Sequence, residues 1–219
     1  MDCTYTEMRR DSAVLTDVED SLIAEQGGIC AYTGMRIAIK MVKNNRFVDF
    51  HIEHLRPQVH CSYGQSAAYD NMVACWPRPN CDFEPEFGAR KKDKWPSQAE
   101  EALFVSPLRA DCSARFTFNR HGEIKAVNSA DQMATMTIAE LGLDDKELTA
   151  LRRNAIWGAF HPNGKHIRLS QARHLHSALE NDSQALNKGA NVQLIPFCFA
   201  IQKALEPEIR KLEGIEGNR

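Results

Sequence analysis

The apolar positions of the chain do not keep one period. Over residues 7–26, Met8, Val14, Leu15, Val18, Leu22 and Ile23 recur at helical spacing and Gly27-Gly28 supplies a stop, so a helix is predicted there. From Ile29 to Lys94 the pattern shortens: "CAYTG" reads as a tight turn, "RFVDFHI" as a strand, and Pro77, Pro79, Pro85 and Pro96 exclude long regular elements. Short helical pieces are predicted at 66–74 and 88–94. Further on, "ARFTFNRHGEIKAV" alternates apolar and polar positions around an Asn-Arg-His-Gly turn and predicts a β-hairpin. In "DDKELTALRRNAIWGAF", Leu148, Leu151, Ala155, Ile156 and Ala159 form one stripe, with Asp144 and Asp145 suited to the helix start. Residues 167–187 and 197–212 repeat that amphipathic character.

The pattern predicts an α+β, mainly helical protein. Its parts are an N-terminal helix over 1–28, a compact turn-rich segment over 29–104, and a β-hairpin with a helical C-terminal region over 105–219. With 219 residues and 43% hydrophobic content the chain can bury a core without covalent staples. Twenty-seven basic and 29 acidic residues give a formal charge of -2, so any polyanion site must come from local clustering. Seven cysteines (Cys3, Cys30, Cys61, Cys75, Cys81, Cys112, Cys198), an odd number, and an N-terminal stretch without an apolar signal core point to a soluble protein of the reducing cytoplasm. The longest apolar run, "IPFCFAI", is far shorter than the roughly 20 residues a membrane span needs, so no membrane partner is expected.

The candidate chemistry lies in "VDFHIEHLRPQ", residues 48–58, where His51, Glu53 and His54 precede Pro57, with His60, Asn71 and Asn80 downstream. A carboxylate can hold a divalent cation, and an imidazole with an ordinary pKa near 6.5 can take a proton from water, the division of labour of metal-assisted hydrolysis. Adjacent residues of a regular strand face opposite sides, so Glu53 and His54 converge only where the strand bends before Pro57; Arg56 would then meet a phosphate. The competing reading is that these are solvated polar residues at a strand end.

These residues resemble the HNH (ββα-metal) endonucleases, whose signature is a ligand beside a His base, then an Asn, then a further ligand. The match is Glu53-His54, Asn71 and Asn80. "CAYTG" stands where many members carry a paired-cysteine knuckle, "YDNMVACWPRPN" is similar to their Asn-containing helix, and "FGARKKDKW" to their closing helix. The later stretches "VSPLRADCSARFTFNRHGEI", "TIAELGLDDKELTALRR" and "LIPFCFAIQKALE" resemble the tail of the Septu and retron-associated HNH proteins. The resemblance implies a nuclease effector of antiphage defence acting with an ATPase partner. It assigns His54 as general base, Glu53 and Asn80 as ligands of Mg²⁺ or Mn²⁺, and Asn71 as the residue that pins the loop carrying His54.

Three features depart from that pattern or leave it open. Thr33 and Phe87 stand where paired cysteines would fall, so the knuckle is incomplete and a structural zinc is doubtful; Cys30, Cys75 and Cys81, with His51, His60 or Cys61, are the alternative ligand set. An alternative register puts Gly88 or Ala89 at the second ligand position in place of Asn80. The cluster Arg90, Lys91, Lys92 and Lys94 is either a solvated face or, with Arg56, a surface that neutralises DNA or RNA phosphates without reading bases. The other class of function is a retired nuclease acting as an adaptor.

Overall fold

The computed structural model describes residues 4–216; Cys3 lies outside them. Helix α1 (Tyr5–Met8) and helix α2 (Ser12–Glu25) replace the single helix predicted over 7–26. The break has a local cause: Asp11 accepts hydrogen bonds from the amides of Ala13 and Val14 at 3.0 and 3.3 Å, so it caps a new helix. That lets α1 stand as an independent turn, whose Tyr5 amide donates to Ser66 Oγ.

The strand predicted from "RFVDFHI" also divides. Strands β1 (Ile39–Val42) and β2 (Asn45–Val48) form one hairpin across Lys43-Asn44, both at positive φ, while β3 (His51–His54) pairs with β4 (Met72–Cys75). Between them Asp49 locks to Ala38 in both directions, and Phe50 is 2% exposed. The chain thereby changes strand partner at residues 49–50. The helix predicted over 66–74 is instead two 3-10 turns, Gln65–Ala67 and Tyr69–Asn71, running into β4. All four residues of β4 are buried, a two-sided burial that favours a covered strand over an amphipathic helix. Helix α3 (Ala89–Lys92) falls within the stretch predicted at 88–94 and packs against β3.

The hairpin predicted around Asn-Arg-His-Gly is β5 (Phe116–Phe118) with β6 (Ile124–Ala126). Four helices follow: α4 (Gln132–Glu140), α5 (Lys146–Phe160), α6 (Leu169–Asn187) and α7 (Cys198–Glu216). Asp145 caps α5 through the amides of Glu147 and Leu148. Leu148 and Ile156 are buried as the stripe predicts, but Leu151 is 39% exposed. Helix α7 packs on α5, α6 and β5, burying Ala204 and Leu205. Burial of Leu205 contributes on the order of 2 kcal/mol. The two halves of the chain are tied by Arg36, which donates to the carbonyls of Gly28 at 3.0 Å and Leu194 at 2.5 Å. Among the described residues no helix is long and apolar enough to cross a membrane.

Candidate active site

The ladder of β3 and β4 runs His51↔Cys75, Ile52↔Ala74, Glu53↔Val73 and His54↔Met72, and Leu55 still donates to the Asn71 carbonyl at 2.9 Å. Regular pairing thus covers both Glu53 and His54, and the bend begins only at Leu55. The convergence expected of those two side chains is therefore corrected. Strand alternation puts His51 and Glu53 on one face and Ile52 and His54 on the other.

On the first face the Glu53 carboxylate meets Lys92 and His51. Lys92 Nζ lies 2.9 Å from Glu53 Oε1 and 2.8 Å from the His54 carbonyl oxygen, with its side chain fully removed from solvent. His51 Nε2 lies 3.7 Å from Glu53 Oε2, and its Nδ1 is 2.5 Å from the Pro77 carbonyl. Burial pushes the Glu53 pKa up, but His51 and Lys92 outweigh it and hold the carboxyl below its ordinary value. Lys92 is thus withdrawn from the expected nucleic-acid surface. A solvated ammonium in a run of charges becomes an interior one because a buried carboxylate faces it.

On the second face His54 is 4% exposed. Its Nε2 lies 2.8 Å from the Ser66 carbonyl, so Nε2 carries the hydrogen and Nδ1 the lone pair; Gln58 Nε2 stands 3.4 Å from Nδ1. The Tyr5 ring covers the imidazole edge-on at a centroid distance of 4.5 Å, and the Tyr5 amide donates to Ser66 Oγ at 3.2 Å. Burial is the main reason that the His54 pKa falls below the ordinary histidine value, leaving a neutral ring at pH 7. Tyr5, Gln58 and Ser66 escaped sequence reasoning, since they reach His54 only through the fold.

Asn71 sits where a clamp on the strand end has to be. Its Oδ1 accepts from the Arg56 amide at 2.7 Å and its Nδ2 donates to the Arg56 carbonyl at 3.2 Å. The Arg56 guanidinium is held by Glu101, with Nε 2.7 Å from Oε1 and a second nitrogen 2.9 Å from Oε2, so it is already neutralised. Asn80 stands exposed at a left-handed turn (φ 55°) and shares no hydrogen bond with Glu53. Arg90, Lys91 and Lys94 are exposed.

Of the cysteines in the alternative zinc ligand set, Cys30 and Cys75 come together, and no contact joins Cys81 to them. The Ala31 amide donates to the Ala74 carbonyl at 3.2 Å and the Trp76 amide to Cys30 Sγ at 3.4 Å, which brings the two thiols into hydrogen-bonding contact. The remaining corners are apolar. Phe87 stacks on Trp76 with centroids 6.1 Å apart, and a Cβ on Gly88, at φ 69°, would lie 3.0 Å from the Thr33 methyl. Among the described residues no group of three or more His, Cys, Asp or Glu is arranged to hold a metal ion.

A divalent cation does not fit this donor set as folded. Glu53 Oε1 and the His54 carbonyl oxygen are both committed to Lys92, the His54 ring faces away, and the buried Tyr32 hydroxyl has no hydrogen-bond partner. Burial first, then the Glu53 charge, pushes Tyr32 well above the ordinary phenol pKa, so it offers a proton and not an anion. The chain matches no protein-family model, and no curated protein matches it.

Proposed function

We propose that the chain is a nucleic-acid phosphodiesterase of the HNH type, the nuclease subunit of an antiphage defence complex with an ATPase partner, seen in a closed resting state. The observation that carries this reading is the state of His54. The ring is neutral, its tautomer is fixed by the Ser66 carbonyl, and it stands at a strand end that Asn71 clamps through both polar groups of Arg56. A general base needs a lone pair at neutral pH and a fixed direction for it, and Nδ1 has both. Its contact with Gln58 at 3.4 Å is longer than an ordinary hydrogen bond, so a water can displace it. The Tyr5 ring packed on the imidazole and the 4% exposure of His54 restrict access to that nitrogen in this state. Arg90, Lys91 and Lys94 supply exposed charge for phosphates flanking the scissile bond. DNA and RNA are both within reach of this chemistry.

The test is cleavage of labelled DNA and RNA by the partner-bound protein, with and without Mg²⁺ or Mn²⁺, beside His54→Ala and Asn71→Ala. Cleavage that disappears in His54→Ala while folding and partner binding persist supports the reading; equal cleavage by that variant removes His54 as base. A second reading, a non-catalytic adaptor, draws on Lys92 at Glu53 and Tyr5 over His54. It predicts partner binding with no cleavage of either nucleic acid under any of these conditions.

A further inference from the structure

We infer that Lys92 is a built-in stand-in for a divalent cation, and that the chain as folded excludes Mg²⁺ or Mn²⁺ from Glu53 until this side chain leaves. The inference deepens the reading of the same site as a nuclease centre and concerns how that centre is regulated. It starts from the two oxygens that Lys92 Nζ contacts, Glu53 Oε1 at 2.9 Å and the His54 main-chain oxygen at 2.8 Å. A carboxylate oxygen and a carbonyl oxygen side by side are the donors a hard cation takes, and oxygen ligands are what Mg²⁺ and Mn²⁺ prefer. An ammonium satisfies the same pair by donating two of its three hydrogens.

Three observations argue that the occupancy is built in and not a chance surface contact. The Lys92 side chain has no solvent exposure. Helix α3, whose last residue is Lys92, is anchored on both sides: the Gly88 amide donates to the Leu141 carbonyl at 2.7 Å, and the Trp95 amide to the Lys92 carbonyl at 2.8 Å. Trp95, three residues beyond Lys92, is itself buried and in edge-on contact with buried Phe104 at 5.3 Å. The exchange is also electrostatically defined. Glu53 faces Lys92 at 2.9 Å and His51 at 3.7 Å. An entering dication would have to stand beside the Lys92 ammonium or displace it into solvent. Two cations on one buried carboxylate repel, so displacement is the route.

The experiment uses the full chain and Mn²⁺ alone as probe. Free Mn²⁺ is followed by electron paramagnetic resonance during titration of wild type, Lys92→Met and the double variant Lys92→Met/Glu53→Gln. Wild type is expected to bind no ion below millimolar concentration. Lys92→Met should bind at least about tenfold tighter, a factor equivalent to ~1.4 kcal/mol, and the double variant should lose the gain. Micromolar binding by wild type that Glu53→Gln abolishes overturns the inference, as does a folded Lys92→Met that gains nothing. Should Lys92→Met not fold, ¹⁵N-lysine spectra of wild type decide: a slowly exchanging Lys92 ammonium signal unaffected by Mn²⁺ supports exclusion, and its paramagnetic broadening refutes it. The two readings fail separately. Wild type that binds Mn²⁺ at Glu53 and cleaves through His54 sinks the exclusion and keeps the nuclease; wild type that excludes Mn²⁺ and never cleaves, even with its partner, does the reverse.

Discussion

Replacing Asn71 by alanine tests whether the strand end is held by one side chain. The variant removes the acceptor of the Arg56 amide (2.7 Å) and the donor to the Arg56 carbonyl (3.2 Å), together with longer contacts from Nδ2 to the Gln65 carbonyl (3.4 Å) and Cys61 Sγ (3.5 Å). Net hydrogen bonds are worth ~0.5–1.5 kcal/mol each, and an orphaned buried amide costs about 1–3 kcal/mol. Arg56 is half-buried, so water recovers part of the loss and a destabilisation of about 2 kcal/mol is expected. For a domain of this size that corresponds to roughly 4–8 °C in Tm. Asn71→Asp keeps the acceptor and loses the donor, so about half the effect is expected. Urea unfolding measured by circular dichroism gives the free energy, and ¹⁵N chemical shifts of the His54 ring report whether the Nε2–H tautomer survives. A loss below ~0.5 kcal/mol for Asn71→Ala, with an unchanged ring signal, would refute the clamp.

Acid lability should come in two stages. The His54 pKa is lowered in the folded state, so its contribution is complete above the unfolded value near 6.5 and is lost as pH falls below that towards the folded value. Glu53, also lowered, contributes fully above its ordinary 4.5, and that contribution is lost as pH falls through the folded value. His54→Gln should flatten the first stage and leave the second, which denaturation at stepped pH will reveal. Breaking the buried pair by Lys92→Met or Glu53→Leu should each cost about 3 kcal/mol, whereas the apolar double variant Glu53→Leu/Lys92→Met should cost less than the sum; additive losses in a double-mutant cycle would contradict direct pairing. Tyr5→Ala should expose the His54 ring and speed its modification by diethyl pyrocarbonate several-fold, read by peptide mass spectrometry; an unchanged rate would mean that Tyr5 is not the cover.

Local signals carried much of the architecture. The Asp145 cap, the Leu148 and Ile156 stripe and the hairpin from Phe116 to Ala126 were legible because each depends on neighbours within a few residues. Asp11 shows the same rule missed: a capping residue within a helical apolar pattern marks a break, and the apolar spacing alone concealed it. Asn71 bonds both main-chain polar groups of Arg56, a contact between residues 15 apart that local pattern alone does not reveal.

Read in one dimension, the chain supplies the set of groups: a strand ending in His51, Glu53 and His54, an asparagine downstream, and a basic run after it. Which way those groups point was decided by tertiary pairing. The β4 partner, arriving across a loop, extends the ladder through Leu55 and forces Glu53 and His54 onto opposite faces. The run Arg90-Lys91-Lys92 looks uniformly solvated in one dimension, yet Lys92 is buried against a carboxylate 39 residues away. The physical reason is that periodicity fixes local backbone geometry, whereas the compensation of a buried charge is settled only by what long-range packing brings against it.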